Sequence, residues 1–173
     1  GIGSAFPETP LSNEEISRRV ETNDEWIRER TGIAERRISR PGVESEQNSS
    51  LATRAAMNAL EMAGLRPEDV DGILFATSSP DTPLPSASCR MQAKLGATRA
   101  WALDVNAACS GFVFALATAD QFIRTGFSQT ILVVGSEVLS TLVDWQDRGS
   151  CILFGDGAGV AVVQRTHAND TSR

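Results

Sequence analysis

The sequence has few of the residues that mark several large protein classes. Its 173 residues include three cysteines and one histidine, and no apolar run approaches the roughly 20 residues of a membrane span. The cysteines (Cys89, Cys109 and Cys151) are an odd number at wide, unequal spacings. A disulfide framework or a zinc site would normally show close pairs such as C-x-x-C. A reduced, cytoplasmic protein without a metal site is therefore predicted.

Positive charge is also in the minority. Lysine and arginine number 16 against 22 aspartates and glutamates, so the formal net charge is −6 at pH 7. Surfaces that bind nucleic acids or anionic lipids are usually basic, so this balance argues against both as partners. The composition, 41% hydrophobic and 22% charged, is that of an ordinary globular domain.

Helix and strand patterns alternate along the chain. Capping-box patterns predict short helices after Ser12 and Thr22, and the arginine-rich segment 28–40 is predicted to be irregular. Longer helices are predicted over 50–63 (capped by Gly64), 86–96 and 111–125. Buried strands are predicted over 70–77, 101–105, 130–134 and 159–163. This order indicates an α/β layered domain with a mainly parallel sheet, in which the almost wholly apolar helix 111–125 is buried.

Cys109 lies where a predicted strand gives way to a predicted helix. Helix N-terminal amides favour a thiolate and can bind the oxyanion of an attacked thioester, which makes Cys109 a candidate nucleophile. The alternative is a small buried hydrophobe, the interpretation given to Cys89 within a helix and Cys151 at a strand start. The strand-to-helix switch favours chemistry at Cys109 but leaves both interpretations open.

Three further patterns have two interpretations each. Trp26 between Arg28 and Arg30 could stack on a base, although alone it is more typical of a core tryptophan. The arginines 28, 30, 36, 37 and 40 could receive coenzyme phosphates or an acidic carrier, or could form a solvated face. Segment 155–159 lacks G-x-G-x-x-G spacing and precedes an apolar strand, so a structural turn is favoured over a nucleotide loop.

Four segments in the same order resemble the β-ketoacyl-[acyl-carrier-protein] synthase III family of thiolase-fold condensing enzymes. They are 24–33 (DEWI, then RTGI), 106–112 (NAACSGF), 147–149 (DRG) and 154–159 (FGDGAG). They span nearly all of the chain and correspond to the N-terminal half of such an enzyme. The resemblance implies one thiolase-like domain over 1–173, and the C-terminal half is expected to lie outside this sequence.

The resemblance also implies roles for individual residues. Cys109 would accept the acyl group, and Trp26 and Arg148 would sandwich the adenine of coenzyme A. Thr22 and Arg30 would contact the same molecule, although Thr22 also fits a helix N-cap.

Two more residues are assigned to the acyl pocket by the resemblance. Phe154 would line the pocket of its own subunit. Leu84 matches a position where an aromatic often reaches across the dimer interface into the partner's pocket. A leucine there leaves the accepted chain length open.

The implied reaction has two steps and no permanently bound cofactor. Cys109 takes an acyl group, most simply acetyl, from coenzyme A, and the acyl-enzyme condenses with malonyl-acyl-carrier protein to start fatty-acid synthesis. A homodimer is implied. The alternatives are a ketosynthase of secondary metabolism with another starter, or a non-catalytic half-size acyl-binding subunit. A degradative thiolase fits less well, because its motifs around the cysteine differ.

The second step needs donors that this sequence does not supply in a suitable place. An enolate oxygen requires preorganised donors such as histidine and asparagine. The one histidine, His167, lies in a polar tail, where a buried catalytic role is not expected. In the family the catalytic histidine and asparagine, and a glycine of the oxyanion hole, lie in the C-terminal half.

Overall fold

A computed structural model describes residues 1–166 of the chain. The strands are β1 (Ile2–Ala5), β2 (Thr9–Ser12), β3 (Glu35–Ile38), β4 (Gly72–Ala76), β5 (Trp101–Val105), β6 (Thr130–Val138) and β7 (Asp156–Gln164). The helices are α1 (Asn13–Ser17), α2 (Asp24–Thr31), α3 (Asn48–Ala63), α4 (Ala87–Leu95), α5 (Gly111–Arg124) and α6 (Arg148–Cys151). His167 lies outside the described residues.

Five strands form one sheet in the order β1-β7-β6-β4-β5. Strand β4 pairs in parallel with β5 and β6, whereas β7 is antiparallel to both β6 and β1. Four strands therefore run in one direction and β7 in the other, which confirms the predicted mainly parallel sheet. The carboxyl ends of β4, β5 and β6 meet at one edge of the sheet.

Helix α3 covers one face of the sheet together with α4. Its predicted i, i+4 stripe is confirmed, since Leu51, Ala55 and Ala59 are fully buried against the core that contains Phe75. Helix α3 ends at Gly64, whose φ of 67° is left-handed, as predicted for its cap. Small side chains on α3 allow a close approach to the sheet, so this layer is well packed.

Helix α5 covers the other face of the sheet with a stripe of mostly small residues. Gly111, Ala115, Ala119 and Ile123 face the sheet, and a Cβ on Gly111 would come within 3.0 Å of the Ala76 Cβ. Further side chains point away from the sheet and are exposed, namely Val113 (64%), Phe114 (56%) and Leu116, whereas the partly exposed Phe112 lies against Gly135 of β6. Within residues 1–166 the helix is therefore buried on one side only.

A smaller unit is built from β2, β3, α1 and α2 around Leu11, Ile16 and Ile27. The prediction that 28–40 is irregular is wrong, because α2 continues to Thr31 and β3 follows. Periodicity missed β3 because Arg36 points inward, where its guanidinium donates to the carbonyls of Leu11 (3.2 Å) and Ile152 (2.8 Å). Burial lowers the pKa of Arg36.

The ends of several elements differ from the predicted ones. Ser12 forms the predicted capping box, but α2 is capped by Asn23, whose side chain accepts from the Trp26 amide at 2.8 Å. The capping role predicted for Thr22 is therefore wrong. Strands β6 and β7 each extend past the predicted bounds, because they pair with each other along their whole length. Within residues 1–166 no helix is both long and apolar enough to cross a membrane.

Candidate active site

Cys109 lies in the turn between β5 and α5. A short 3-10 segment, Ala108–Ser110, joins the strand end to the helix, and the Cys109 side chain is exposed. Ala108 has φ of 46°, a left-handed conformation that costs a non-glycine residue about 1–2 kcal/mol. Strain of this kind persists only where the surrounding structure holds it. The turn thus presents a thiol at the N-terminus of a 14-residue helix.

A pocket of about 470 Å³ opens at Cys109, at the edge where β4, β5 and β6 end. Phe154, predicted to line the acyl pocket, is one of its walls. Sequence reasoning missed other residues that line the pocket: Phe112, Gly135, Glu137 and Leu139. A side chain at Gly135 would press on the Phe112 ring, which lies 3.3 Å from the position of its Cβ. The walls are mainly apolar, as suits a short acyl chain.

Glu137 is the one carboxylate among the residues that line this pocket. It lies near the end of β6 and accepts hydrogen bonds from three consecutive residues that follow β4. The donors are the Ser78 amide (2.8 Å), the Thr77 hydroxyl (3.2 Å) and the Ser79 hydroxyl. Polar residues directly after buried strands were the sequence signal that could have drawn attention to this cluster.

Trp26 contacts two guanidinium groups on the small unit. The Arg30 Cζ lies 4.2 Å and the Arg148 Cζ 4.8 Å from the centroid of the indole ring. Arg148 also donates to the Glu21 carbonyl at 3.2 Å. The structure therefore brings together three of the four residues predicted to bind coenzyme A, from α2 and from α6. Guanidinium and indole groups stack well on flat aromatic ligands.

Thr22 lies just before α2, in a partly buried position. Its hydroxyl oxygen is buried and has no hydrogen-bond partner among the described residues. Leu84 lies in the loop between β4 and α4 and is 84% exposed, so it does not reach the pocket of its own chain. Its predicted place in a partner's pocket remains a prediction.

The arginine run does not form one surface. Arg36 is buried, Arg40 binds the buried Glu46 at 2.8 Å, and Arg37 donates to the Glu8 carbonyl at 2.8 Å. Arg28 pairs with Asp24 at 2.7 Å. A single phosphate-binding or solvated face made by all five arginines is therefore excluded, because Arg36 is buried.

The other two cysteines differ from their predicted settings. Cys89 is exposed on α4, so its interpretation as a buried hydrophobe is wrong. Cys151 is buried as interpreted, but at the end of α6 and not at a strand start. Burial raises the pKa of the Cys151 thiol, which disfavours its reactive form. The prediction that segment 155–159 is a turn is wrong, because 156–159 are the first residues of β7 and only Gly155 precedes the strand.

Comparisons with known proteins agree with the resemblance drawn from the sequence. The profile of the family 3-oxoacyl-[acyl-carrier-protein (ACP)] synthase III matches residues 103–173. The chain is 58% identical over 164 residues to a beta-ketoacyl-[acyl-carrier-protein] synthase III of Synechococcus elongatus. The aligned region covers 95% of this chain and 48% of that protein. The chain thus spans about half the length of the curated relatives that it matches.

Solved structures show the same fold. The 3-oxoacyl-[acyl-carrier-protein] synthase III of Aquifex aeolicus superposes with a TM-score of 0.91 at 48% identity, covering 96% of this chain and 53% of that one. The priming β-ketosynthase of the R1128 polyketide pathway superposes with a TM-score of 0.91 at 37% identity, covering 96% and 49%. The fold is therefore thiolase-like, and the chain is similar to about an N-terminal half of 3-oxoacyl-[acyl-carrier-protein] synthase III enzymes.

Proposed function

We propose that the protein carrying this chain is a condensing enzyme that starts fatty-acid synthesis. Cys109 takes an acyl group, most simply acetyl, from coenzyme A, and the acyl-enzyme condenses with malonyl-acyl-carrier protein. The observation that carries the proposal is the position of Cys109, an exposed thiol at a helix N-terminus that opens into a largely apolar pocket. The names of the relatives support the same activity.

The first step follows from the geometry of the turn. The Cys109 thiolate attacks the thioester carbonyl, and the acyl–sulfur bond to coenzyme A breaks as the bond to Cys109 forms. First-turn amides of α5 have no intrahelical acceptor, so they are suited to bind the developing oxyanion. The coenzyme leaves as a thiolate and takes up from solvent the proton that Cys109 lost, and the acyl chain enters the pocket beside Phe154.

The coenzyme is proposed to bind at Trp26, Arg30, Arg148 and Thr22. Adenine is proposed to stack between the indole ring and the guanidinium of Arg148, which now lies directly against the ring and would move aside to admit the base. The unpartnered Thr22 hydroxyl supplies a further hydrogen-bonding group at the same unit. No permanently bound cofactor is proposed, because the thioester itself is the substrate.

The second step and the assembly are proposed to need more than this chain. A C-terminal half would supply the histidine and asparagine that stabilise the enolate formed when malonyl-acyl-carrier protein loses carbon dioxide; this enolate attacks the acyl carbonyl and releases the Cys109 thiolate. A cytoplasmic homodimer is supported by β5, an edge strand with no further strand beside it in residues 1–166, and by the exposed Leu84.

The test of this proposal is acyl labelling of the full-length protein. Incubation with acetyl-coenzyme A is expected to add one acetyl group, and peptide mass mapping should locate it at Cys109. Cys109→Ser should lose condensation almost entirely, because a hydroxyl without an adjacent base is a poor nucleophile. Label on the exposed Cys89, which is the internal control, would contradict the proposal.

A priming ketosynthase with another starter is the second candidate. The observation behind it is the fold shared with the R1128 enzyme at 37% identity, together with Leu84, which leaves the accepted chain length open. Competition between acetyl-coenzyme A and longer acyl thioesters distinguishes the two, since each enzyme acylates fastest with its own starter. A half-size acyl-binding subunit would acylate Cys109 but form no 3-oxoacyl product.

A further inference from the structure

Glu137 connects the three strand ends that surround the nucleophile turn. Its carboxylate lies near the end of β6, and its three donors occupy 77–79, directly after β4. The middle residue of these three, Ser78, donates its hydroxyl to the Asn106 side-chain oxygen at 3.2 Å. Asn106 follows β5 and precedes the turn that carries Cys109. A chain of hydrogen bonds thus runs from β6 through β4 to the turn.

This connection is the main side-chain restraint on the turn. Within residues 1–166, the bond from Ser78 to Asn106 is the only side-chain hydrogen bond that any residue of 106–110 makes. The turn contains Ala108 in its strained left-handed conformation. A strained residue relaxes unless its neighbours prevent it, and relaxation at Ala108 would rotate the peptide that leads to Cys109.

Behind Glu137 the network continues into the core. The buried Asn48 amide donates to the Thr77 hydroxyl at 2.8 Å and to the Ser79 carbonyl at 2.7 Å. The Ser79 hydroxyl accepts from the Val138 amide at 2.8 Å, so Ser79 is fixed on two sides. Thr77 and Ser79 are therefore also held from the core, whereas within residues 1–166 the Ser78 amide donates to Glu137 alone.

We propose that Glu137 is a positioning residue for Cys109, acting through Ser78 and Asn106. Loss of its carboxylate would leave the Ser78 amide without its acceptor, weaken the bond from Ser78 to Asn106 and allow the turn to relax. The proposal rests on the proposed function for its role in acyl transfer, but the coupling of Glu137 to the thiol is independent of that function.

The test compares four variants of the full-length protein: Glu137→Gln, Ser78→Ala, their combination, and Glu68→Gln. Glu68 is exposed in a 3-10 turn before β4, whereas the site follows β4, so Glu68 is the matched control for loss of one charge. Glu137→Gln and Ser78→Ala are each expected to lower the rate of Cys109 acylation about 10- to 100-fold, as a misplaced reacting atom does. The KM for acetyl-coenzyme A should stay within about twofold, because the coenzyme contacts are elsewhere.

The combined variant decides whether the two residues act in series. Because Ser78 is the link between Glu137 and the turn, the double variant should be no slower than the slower single variant. If the losses of acylation rate in the two single variants multiply in the double variant, the proposal is overturned. An acylation rate of Ser78→Ala equal to that of the parent would also overturn it. Ser78→Ala removes one partly exposed hydroxyl and leaves the core intact. If Glu137→Gln failed to fold, the acylation rate of Ser78→Ala alone would support or overturn the proposal.

A second measurement separates this proposal from the proposed function. Iodoacetamide alkylates Cys109 without a coenzyme, with Cys89 as the internal reference. Both variants should lower the ratio of Cys109 to Cys89 alkylation severalfold by the same factor, whereas Glu68→Gln should not change it. A parent that takes no acetyl group would refute the proposed function only. An unchanged alkylation ratio in both variants would refute the positioning role.

Discussion

Trp26 and its two guanidinium contacts show how a single residue can be tested for binding as against packing. Its indole ring lies within 5 Å of both Arg30 and Arg148, on a surface made from two distant parts of the chain. A core tryptophan would instead contact mainly apolar side chains. The ring also packs against the small core that contains Ile27, so both roles are physically present.

Trp26→Ala is expected to weaken coenzyme A binding about ten- to a hundredfold, since a stacked base contributes roughly 1–3 kcal/mol. Titration of the full-length protein with coenzyme A measures this loss. A pantetheine thioester that lacks adenine should acylate the variant and the parent at nearly equal rates. Equal loss with both donors would assign Trp26 to packing alone.

At the scale of single residues, the sequence predicts the nucleophile Cys109 but not the side chains that hold its turn in place. Cys109 is found from a local pattern, because a strand end, small residues and an apolar helix are adjacent in the chain. The partners Glu137, Ser78 and Asn106 come from three strands, and no local pattern encodes that β6, β4 and β5 are neighbours. Cys89 was misjudged for a similar reason, since helical periodicity around it is weak and its exposure depends on what α4 covers.

Among the elements, the 39–47 loop shows how one ion pair fixes an irregular segment. Glu46 is 2% exposed and accepts from the Arg40 guanidinium at 2.8 Å and from the Arg40 amide at 2.7 Å. It also accepts from the Glu8 amide at 3.2 Å. Hydrogen bonds from Arg40 hold the pKa of Glu46 at about 2, below its ordinary value of 4.5.

The depressed pKa of Glu46 predicts a pH dependence of stability. A group with a lowered folded-state pKa stabilises the fold above its unfolded pKa, and this stabilisation is lost as the pH falls from about 4.5 to about 2. Glu46→Gln should therefore be less stable than the parent at pH 7, and the difference should shrink towards pH 2. Urea denaturation at several pH values measures it. Glu44→Gln, at an 83% exposed position of the same turn, should show almost no difference at any pH.

Elements with apolar periodicity are well predicted, and those held by polar side chains are not. Helix α3 matches its prediction because its stripe is buried against the sheet. Strand β3 was missed because Arg36, a residue type usually found on surfaces, lies in the interior, where its guanidinium donates to three acceptors. Only the contacts with β2, α1 and Ile152 make a strand favourable there, and these partners lie far away in the sequence.

For the molecule as a whole, the outer side of α5 is the feature that departs most from a complete layered domain, because no further layer covers it within residues 1–166. Val113 and Phe114 are 64% and 56% exposed on a helix whose other side is buried against the sheet. Contiguous apolar patches of this kind are rare on the surfaces of monomeric proteins and mark interfaces. The helix was predicted to be buried because its sequence is apolar on nearly every side, and one side remains uncovered within 1–166.

Residues 1–173 produced alone are therefore expected to bind a fluorescent apolar probe and to form no 3-oxoacyl product from malonyl-acyl-carrier protein. The uncovered face of α5 explains the first result, and each missing oxyanion donor costs about 10²–10³ in rate, which explains the second. Phe114→Lys should reduce probe binding by the isolated chain. Condensation by the isolated chain would show that it carries catalytic donors not identified in its sequence.

The bond between Arg36 and the Ile152 carbonyl joins residues 116 positions apart, and that between Arg148 and the Glu21 carbonyl joins residues 127 positions apart. The nucleophile turn, in contrast, depends on strands that all lie between 72 and 138. Contacts of long sequence separation form late, because a large loop must be closed first. As the chain leaves the ribosome, the strands around Cys109 can therefore assemble before Trp26 forms its contact with Arg148. We therefore expect the surface proposed to receive the coenzyme to be completed later in folding than the turn that carries the thiol.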